Sequence, residues 1–190
     1  MTMMARTLNI PNFITLTRLL SVPLIVSLIL SQQLTAAFYL FALAGLSDAL
    51  DGFLARIFKA RTLLGAYLDP IADKALLVGV YAALGRVGLI DLWVVVLVIF
   101  RDALIVGGIL LLSLLKGEVN MKPLLISKIN TVIQLSFALF VLGQGNAVFG
   151  VPNASLYIGY IVAMTTVLSG ATYVKLGLNC FNGADRQACE

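Results

Sequence analysis

Six long apolar runs, separated by short polar breaks, make up most of the chain. They lie near Phe13–Ser31, Thr35–Ile57, Leu64–Leu84, Leu92–Leu115, Pro123–Leu142 and Leu156–Leu176. Each is close to the roughly 20 residues an α-helix needs to cross a hydrocarbon core about 30 Å thick. The breaks between them are short, so neighbouring helices are expected to pack antiparallel. The second, third and fifth runs are interrupted by polar residues, and polar groups at membrane depth mark positions of function. The pattern therefore predicts an all-α integral membrane protein with six transmembrane helices. It predicts one domain over residues 1–190, with an interfacial segment at 1–11 and a polar tail at 177–190.

Composition sharpens this picture. Of 190 residues, 61% are hydrophobic and 12% are charged, with a mean hydropathy of +1.03. A soluble domain carries about 25% charged residues, so the chain falls in the membrane class. The net charge of +4 comes from singly scattered lysines and arginines, without basic runs or aromatic platforms, and no nucleic-acid partner is expected. The positions of those cations matter more than their sum. Arg6, Lys59, Arg61, Lys116, Lys122, Lys175 and Arg186 would lie on one side of the membrane and Arg86 alone on the other. By the excess of lysine and arginine in cytoplasmic loops, both termini and the breaks after the second and fourth spans face the cytoplasm. The expected location is the cytoplasmic (inner) membrane of a bacterium, multi-pass. Residues 1–9 lack a long apolar core, so a removable signal peptide is not expected. Cys180 and Cys189 form no disulfide framework and read as incidental thiols.

The candidate chemistry sits in the second and third spans. They carry the pattern Asp48-x-x-Asp51-Gly52-x-x-Ala55-Arg56, eight residues, then Gly65-x-x-x-Asp69-x-x-x-Asp73. Spacings of three and four put Asp48 with Asp51, and Asp69 with Asp73, on one face of each helix. At 1.5 Å per residue, Asp51 lies about 9 Å and Asp48 about 13 Å inside the cytoplasmic end of the second span. Asp69 and Asp73 lie about 7 and about 13 Å inside the third. A hairpin of these spans brings the four carboxylates together, open toward the cytoplasm. Like charges at that range do not all stay ionised without cations between them. The donors are oxygen only, since the chain contains no histidine, which points to Mg²⁺, Mn²⁺ or Ca²⁺ rather than zinc or copper. Four carboxylates suffice for two divalent cations, the arrangement that clamps an in-line phosphoryl displacement. Gly52 and Gly65 would let a nucleotide approach the backbone, Ala55 keeps that face low, and Arg56 would meet a phosphate or a carboxylate. Two other classes compete. In a structural membrane protein the charges pair as Asp–Arg bridges. In an ion-coupled transporter they line a path, but transporters carry inverted repeats and midplane broken helices, and this sequence has neither.

The same residues resemble the signature of the CDP-alcohol phosphatidyltransferase family, with every fixed position present. The resemblance extends to Asn9-Ile10-Pro11-Asn12 with Thr15 and Arg18 at the start of the first span. It implies displacement of CMP from a CDP-linked lipid by an alcohol. It also implies a homodimer, CDP-diacylglycerol as donor, and two Mg²⁺ or Mn²⁺ ions. Carried over, Asp48, Asp51 and Asp69 are metal ligands, and Asp73 sits at the metal site as general base. Gly52, Ala55, Arg56 and Gly65 line the CDP pocket together with Asp48, and Asn12 and Thr15 complete it.

The acceptor is read from the fifth span, Lys122-Pro123-Leu124-Leu125-Ile126-Ser127-Lys128-Ile129-Asn130-Thr131-Val132-Ile133-Gln134-Leu135. Its wording, with Arg101-Asp102 in the fourth span, resembles the cardiolipin-synthase branch of the family. In the glycerophosphate branch, position 130 is usually lysine. A monoanionic phosphodiester such as phosphatidylglycerol needs fewer cations than the dianionic glycerol 3-phosphate. Phosphatidylglycerol is thus the expected acceptor and glycerol 3-phosphate the alternative, with Lys128, Asn130, Ser127 and Arg101 as candidate contacts. Arg101-Asp102 has a second reading as a buried structural ion pair near midmembrane. Gly107-Gly108, and Gly159 with Ala163, are candidate helix-packing faces.

Overall fold

A computed structural model describes the backbone of residues 9–58, 63–116, 125–144 and 154–182, and the side chains of 17–47, 72–108, 125–144 and 154–178. These segments form six helices: α1 (Asn9–Leu30), α2 (Leu34–Phe58), α3 (Leu63–Val87), α4 (Leu92–Lys116), α5 (Leu125–Gln144) and α6 (Ala154–Asn182). Each coincides with one predicted apolar run. No strand occurs among the described residues. α1 begins at Asn9, four residues before the expected start, and runs through Pro23. α6 continues to Asn182, past the expected end at Leu176 and into the segment read as a polar tail. A helix ends where its backbone is capped, and an apolar run ends where hydropathy falls. The two need not coincide.

Two turns show such caps. After α1, Gln33 N–H donates to Leu28 C=O at 2.9 Å and Gln32 N–H to Ile29 C=O at 3.0 Å. Gln32 lies between them at φ 60°. After α3, Leu89 N–H donates to Leu84 C=O at 3.0 Å and Gly88 N–H to Gly85 C=O at 3.2 Å, with Gly88 at φ 81°. Both are Schellman motifs, which satisfy carbonyls otherwise orphaned at a helix end. Glycine takes the left-handed position freely, whereas Gln32 takes it at a cost of about 1 kcal/mol.

The helices divide into two compact units. The first holds α1, α2, α3 and α5 from Ala138 onward, and the second holds α4, α5 through Phe137, and α6. In the first, α1 packs against both α2 and α3. Its core is Ile25 and Ile29 of α1, Ala37 and Phe41 of α2, and Leu76, Leu77, Val80, Tyr81 and Leu84 of α3. The spacing of the α3 set is that of one helical stripe. α1 and α3 run parallel, because contacts advance in the same sense along both. Arg18 meets Asp73, and one to two turns on, Val22 and Val26 flank Gly79. A Cβ at Gly79 would stand 3.1 Å from Val22 Cγ1 and 3.3 Å from Val26 Cγ2, so glycine there permits the close approach.

In the second unit α4 packs against α6. The Trp93 and Tyr160 rings lie 5.6 Å apart, and further along Arg101 reaches Ser169, so these helices are parallel too. α5 runs against them. Ser127 meets Arg101 near Ser169, Asn130 and Gln134 meet Thr166, and Phe137 Cζ lies 3.7 Å from the Cβ position of Gly159. Each unit thus keeps the alternation that short connections dictate. Ala163 is buried, as the packing reading of Gly159 and Ala163 requires. Among the described residues, nothing lies within 4 Å of a Cβ at Gly107 or Gly108.

Among the described residues, two helical segments, Leu125–Gln144 and Ala154–Leu178, are long and apolar enough to cross a membrane, and Thr17–Leu30 and Leu34–Ser47 are shorter apolar stretches.

Candidate functional site

The residues of the aspartate pattern all lie in helices. Asp48, Asp51, Gly52, Ala55 and Arg56 are on α2, and Gly65, Asp69 and Asp73 are on α3. Asn12 and Thr15 are in the first two turns of α1. The continuous backbone preserves the three- and four-residue spacings that put each aspartate pair on one helix face. The side chains of Asn12, Thr15, Asp48, Asp51, Asp69, Ala55 and Arg56, with Gly52 and Gly65, fall outside the described set. Among the described side chains, no three acidic, histidine or cysteine groups gather as a metal cluster. On donor chemistry the four aspartates suit a hard divalent cation, since every candidate ligand atom is a carboxylate oxygen.

Asp73 is described, and it has a specific partner. Arg18 Nη1 of α1 donates to Asp73 Oδ1 at 2.8 Å. The Arg18 side chain is 3% exposed and that of Asp73 is 43% exposed. The guanidinium is therefore sealed between helices while the carboxylate remains accessible. α3 positions Asp73 by burying its neighbours Ala72 and Leu76, and the α1–α3 contact at Gly79 sets the distance between the two backbones. The bond, from a buried guanidinium to a carboxylate, is charge-assisted and directional.

The second unit holds a buried polar network across three helices. Arg101 Nη1 donates to Asp102 Oδ1 at 2.7 Å, and Nη2 donates to Ser127 Oγ at 2.7 Å and Ser169 Oγ at 2.5 Å. The Arg101 stem crosses Gly170, whose Cβ position is 3.6 Å from Arg101 Cγ. One turn away, Gln134 Nε2 donates to Thr166 Oγ1 at 3.2 Å, and Thr166 Oγ1 donates to Asn130 Oδ1 at 3.3 Å. Arg101, Asp102, Asn130, Gln134, Thr166 and Ser169 are all buried. Arg101-Asp102 is thus the buried ion pair that its depth suggested. Of the four candidate acceptor contacts, Arg101 and Ser127 come together. Asn130 is buried at 1% exposure, bonded to Thr166. Lys128 is exposed, as expected for a residue about 200° around the helix from Asn130. Ser169 and Thr166 of α6 complete this network without belonging to any motif of the sequence. The available signal was their polarity at helical spacing: Ser127, Asn130 and Gln134 on α5, Thr166 and Ser169 on α6.

A family model for CDP-alcohol phosphatidyltransferases matches residues 8–169. The chain belongs to this membrane-associated family. The match runs through helices of both units. Among curated relatives, CDP-diacylglycerol--glycerol-3-phosphate 3-phosphatidyltransferase 1, chloroplastic, of Oryza sativa is 38% identical over 189 residues, covering 88% of this chain and 56% of the rice protein. Cardiolipin synthase (CMP-forming) of Homo sapiens is 33% identical over 188 residues, covering 89% of this chain and 62% of the human protein. CDP-diacylglycerol--glycerol-3-phosphate 3-phosphatidyltransferase of Rickettsia typhi is 31% identical over 174 residues, covering 88% of this chain and 96% of that protein. The chain therefore spans little more than half the length of the rice and human proteins. The relatives carry names for two different reactions.

Proposed function

We propose that the protein is a phospholipid-synthesising phosphatidyltransferase that moves a phosphatidyl group from CDP-diacylglycerol to an alcohol, releasing CMP. The observation that carries this reading is the family match over residues 8–169, which includes the whole aspartate pattern. An acceptor hydroxyl oxygen attacks the phosphorus bearing the lipid. Its proton passes to the Asp73 carboxylate, and the bond from that phosphorus to the CMP oxygen breaks. Asp48, Asp51 and Asp69 would hold the divalent pair, Mg²⁺ or Mn²⁺, which when bound neutralises charge on the pyrophosphate. Asp73 works by placement as much as by basicity, and its accessible carboxylate beside the buried Arg18 suits that task. Asn12, Thr15, Gly52, Ala55, Arg56 and Gly65 line the CDP pocket.

The proposed acceptor is phosphatidylglycerol, giving cardiolipin. α5 offers one exposed cation, Lys128, and its Asn130 is a buried neutral amide engaged with Thr166. That provision fits a monoanionic phosphodiester better than a dianionic phosphomonoester. The second reading, glycerol 3-phosphate as acceptor, is favoured by the names of the rice and Rickettsia relatives. The two separate in one assay. Purified protein in mixed micelles with CDP-diacylglycerol and Mg²⁺ or Mn²⁺ is offered each acceptor in a separate tube, and lipid products are read by mass. Cardiolipin is the expected product, and phosphatidylglycerophosphate alone would overturn the acceptor assignment. Asn130→Lys is expected to shift use toward glycerol 3-phosphate, and an unchanged acceptor ratio would remove Asn130 from the selectivity argument.

The protein is proposed to sit in the cytoplasmic membrane as six spans, with the site facing the cytoplasm, and to act as a homodimer. The supports are helices of 20 to 29 residues and the parallel α1–α3 and α4–α6 pairs. Large apolar side chains facing outward, such as Leu43, Phe100 and Met164, add to them.

A further inference from the structure

We infer that Arg18 is a positioning residue for the transfer reaction: its guanidinium fixes the orientation of the Asp73 carboxylate from across the α1–α3 interface. This rests on the reading of Asp73 as the base. Arg18 lies in α1, outside the aspartate pattern of α2 and α3. A carboxylate on a helix turns about two side-chain torsions, and each setting sends its oxygens in a different direction. The Arg18 Nη1–Asp73 Oδ1 bond at 2.8 Å pins one oxygen. Because the carboxylate is planar, pinning Oδ1 also fixes the direction of Oδ2.

The anchor is itself rigid. Arg18 is 4% exposed as a residue, and its helix is locked to α3 by the Val22, Val26 and Gly79 contact a turn or two further on. Asp73, by contrast, is 43% exposed through its side chain. A buried donor holding an accessible acceptor is the arrangement expected of an orienting group, because the held group still meets its substrate. Lysine reproduces it only in part, since an ammonium on a flexible stem is held less firmly than a planar guanidinium. Orientation errors of about 1 Å cost about 100-fold in rate.

The test is a double-mutant cycle in the full-length protein, with Arg18→Met, Asp73→Asn and the pair. Turnover is measured alongside calorimetric binding of CDP with Mg²⁺. Arg18→Met is expected to lower kcat about 100-fold. KM for CDP-diacylglycerol and the Kd for CDP should stay within about threefold, because the donor site is untouched. In the Asp73→Asn background the same substitution should change kcat by less than about twofold, since a residue acting through Asp73 has nothing left to orient. Arg18→Lys should recover about tenfold of the loss, and it also serves as the variant to measure if methionine at this position prevents folding. Three results would overturn the inference while leaving the base assignment standing. They are an Arg18→Met enzyme within threefold of wild type beside an inactive Asp73→Asn, an equal further loss in both backgrounds, or loss of CDP binding in step with kcat. Full turnover by Asp73→Asn would instead remove the base assignment, and the inference with it.

Discussion

Two arginines, Arg18 and Arg101, are each buried to within a few per cent of complete exclusion, and each meets an aspartate. A buried guanidinium needs both a counter-charge and filled donors, and removing one partner of such a pair costs about 3–5 kcal/mol. The two pairs differ in what surrounds the acid. Asp73 is accessible, whereas Asp102 is buried with its arginine, and Arg101 also donates to Ser127 and Ser169. The Arg101 network therefore reads as a tie between helices. Arg101→Met should lower stability in detergent by about 3–5 kcal/mol, whereas Arg101→Met with Asp102→Leu should lose distinctly less. A thermal melt of both variants checks this, and equal losses would contradict the account. At this scale the sequence was legible only where polar residues repeat in a recognised pattern. The aspartates announce themselves because carboxylates in apolar runs are costly, and four at helical spacing make a pattern. Ser169 and Thr166 do not, because a hydroxyl in a helix can bond its own backbone, as Thr172 Oγ1 does to Ser169 C=O. Which hydroxyls turn to a neighbouring helix depends on pairing that a single chain of letters does not encode.

The helices were legible because each is an apolar run of about 20 residues or more, a length that argues for helix rather than strand. Their ends were less so. Gln32 terminates α1 in a left-handed conformation, which no rule of composition anticipates for glutamine. Gly88 does the same after α3, where glycine is the expected residue. Packing between helices follows small residues in some places and not in others. Gly79 lies under Val22 and Val26, while among the described residues nothing lies within 4 Å of a Cβ at Gly107 or Gly108. Glycine at 79 permits the close approach of α1, so a side chain there should act directly on the α1–α3 pair. Gly79→Leu is expected to cost about 1–3 kcal/mol through overpacking. It should also lower turnover, because the same interface carries Arg18 and Asp73. A melt and an activity assay on that variant decide it, and unchanged values in both would show that α1 and α3 are not held as described.

For the whole molecule, the central expectations are membrane embedding and phosphatidyl transfer. Large apolar residues point outward along several helices, among them Leu24, Leu43, Phe100, Val132 and Met164. Trp93 packs with Tyr160 at the N-terminal ends of α4 and α6, and Tyr157 is exposed nearby in sequence. Amphipathic aromatic rings favour the headgroup level of a bilayer. Trp93 is the one tryptophan of the chain, so its fluorescence reports its own depth. In vesicles it should be quenched more by lipids brominated near the headgroup than by lipids brominated near the chain ends. The reverse order would place the α4 N-terminus deep in the bilayer and contradict the six-span topology. The catalytic claim is tested most directly by measuring CMP release from CDP-diacylglycerol by the purified protein and by its Asp73→Asn variant, with Mg²⁺ present and after chelation. Release that requires metal and acceptor alcohol, and that falls by at least about 100-fold in the variant, is the predicted result. Equal release by both proteins, or release indifferent to chelation, would contradict the account.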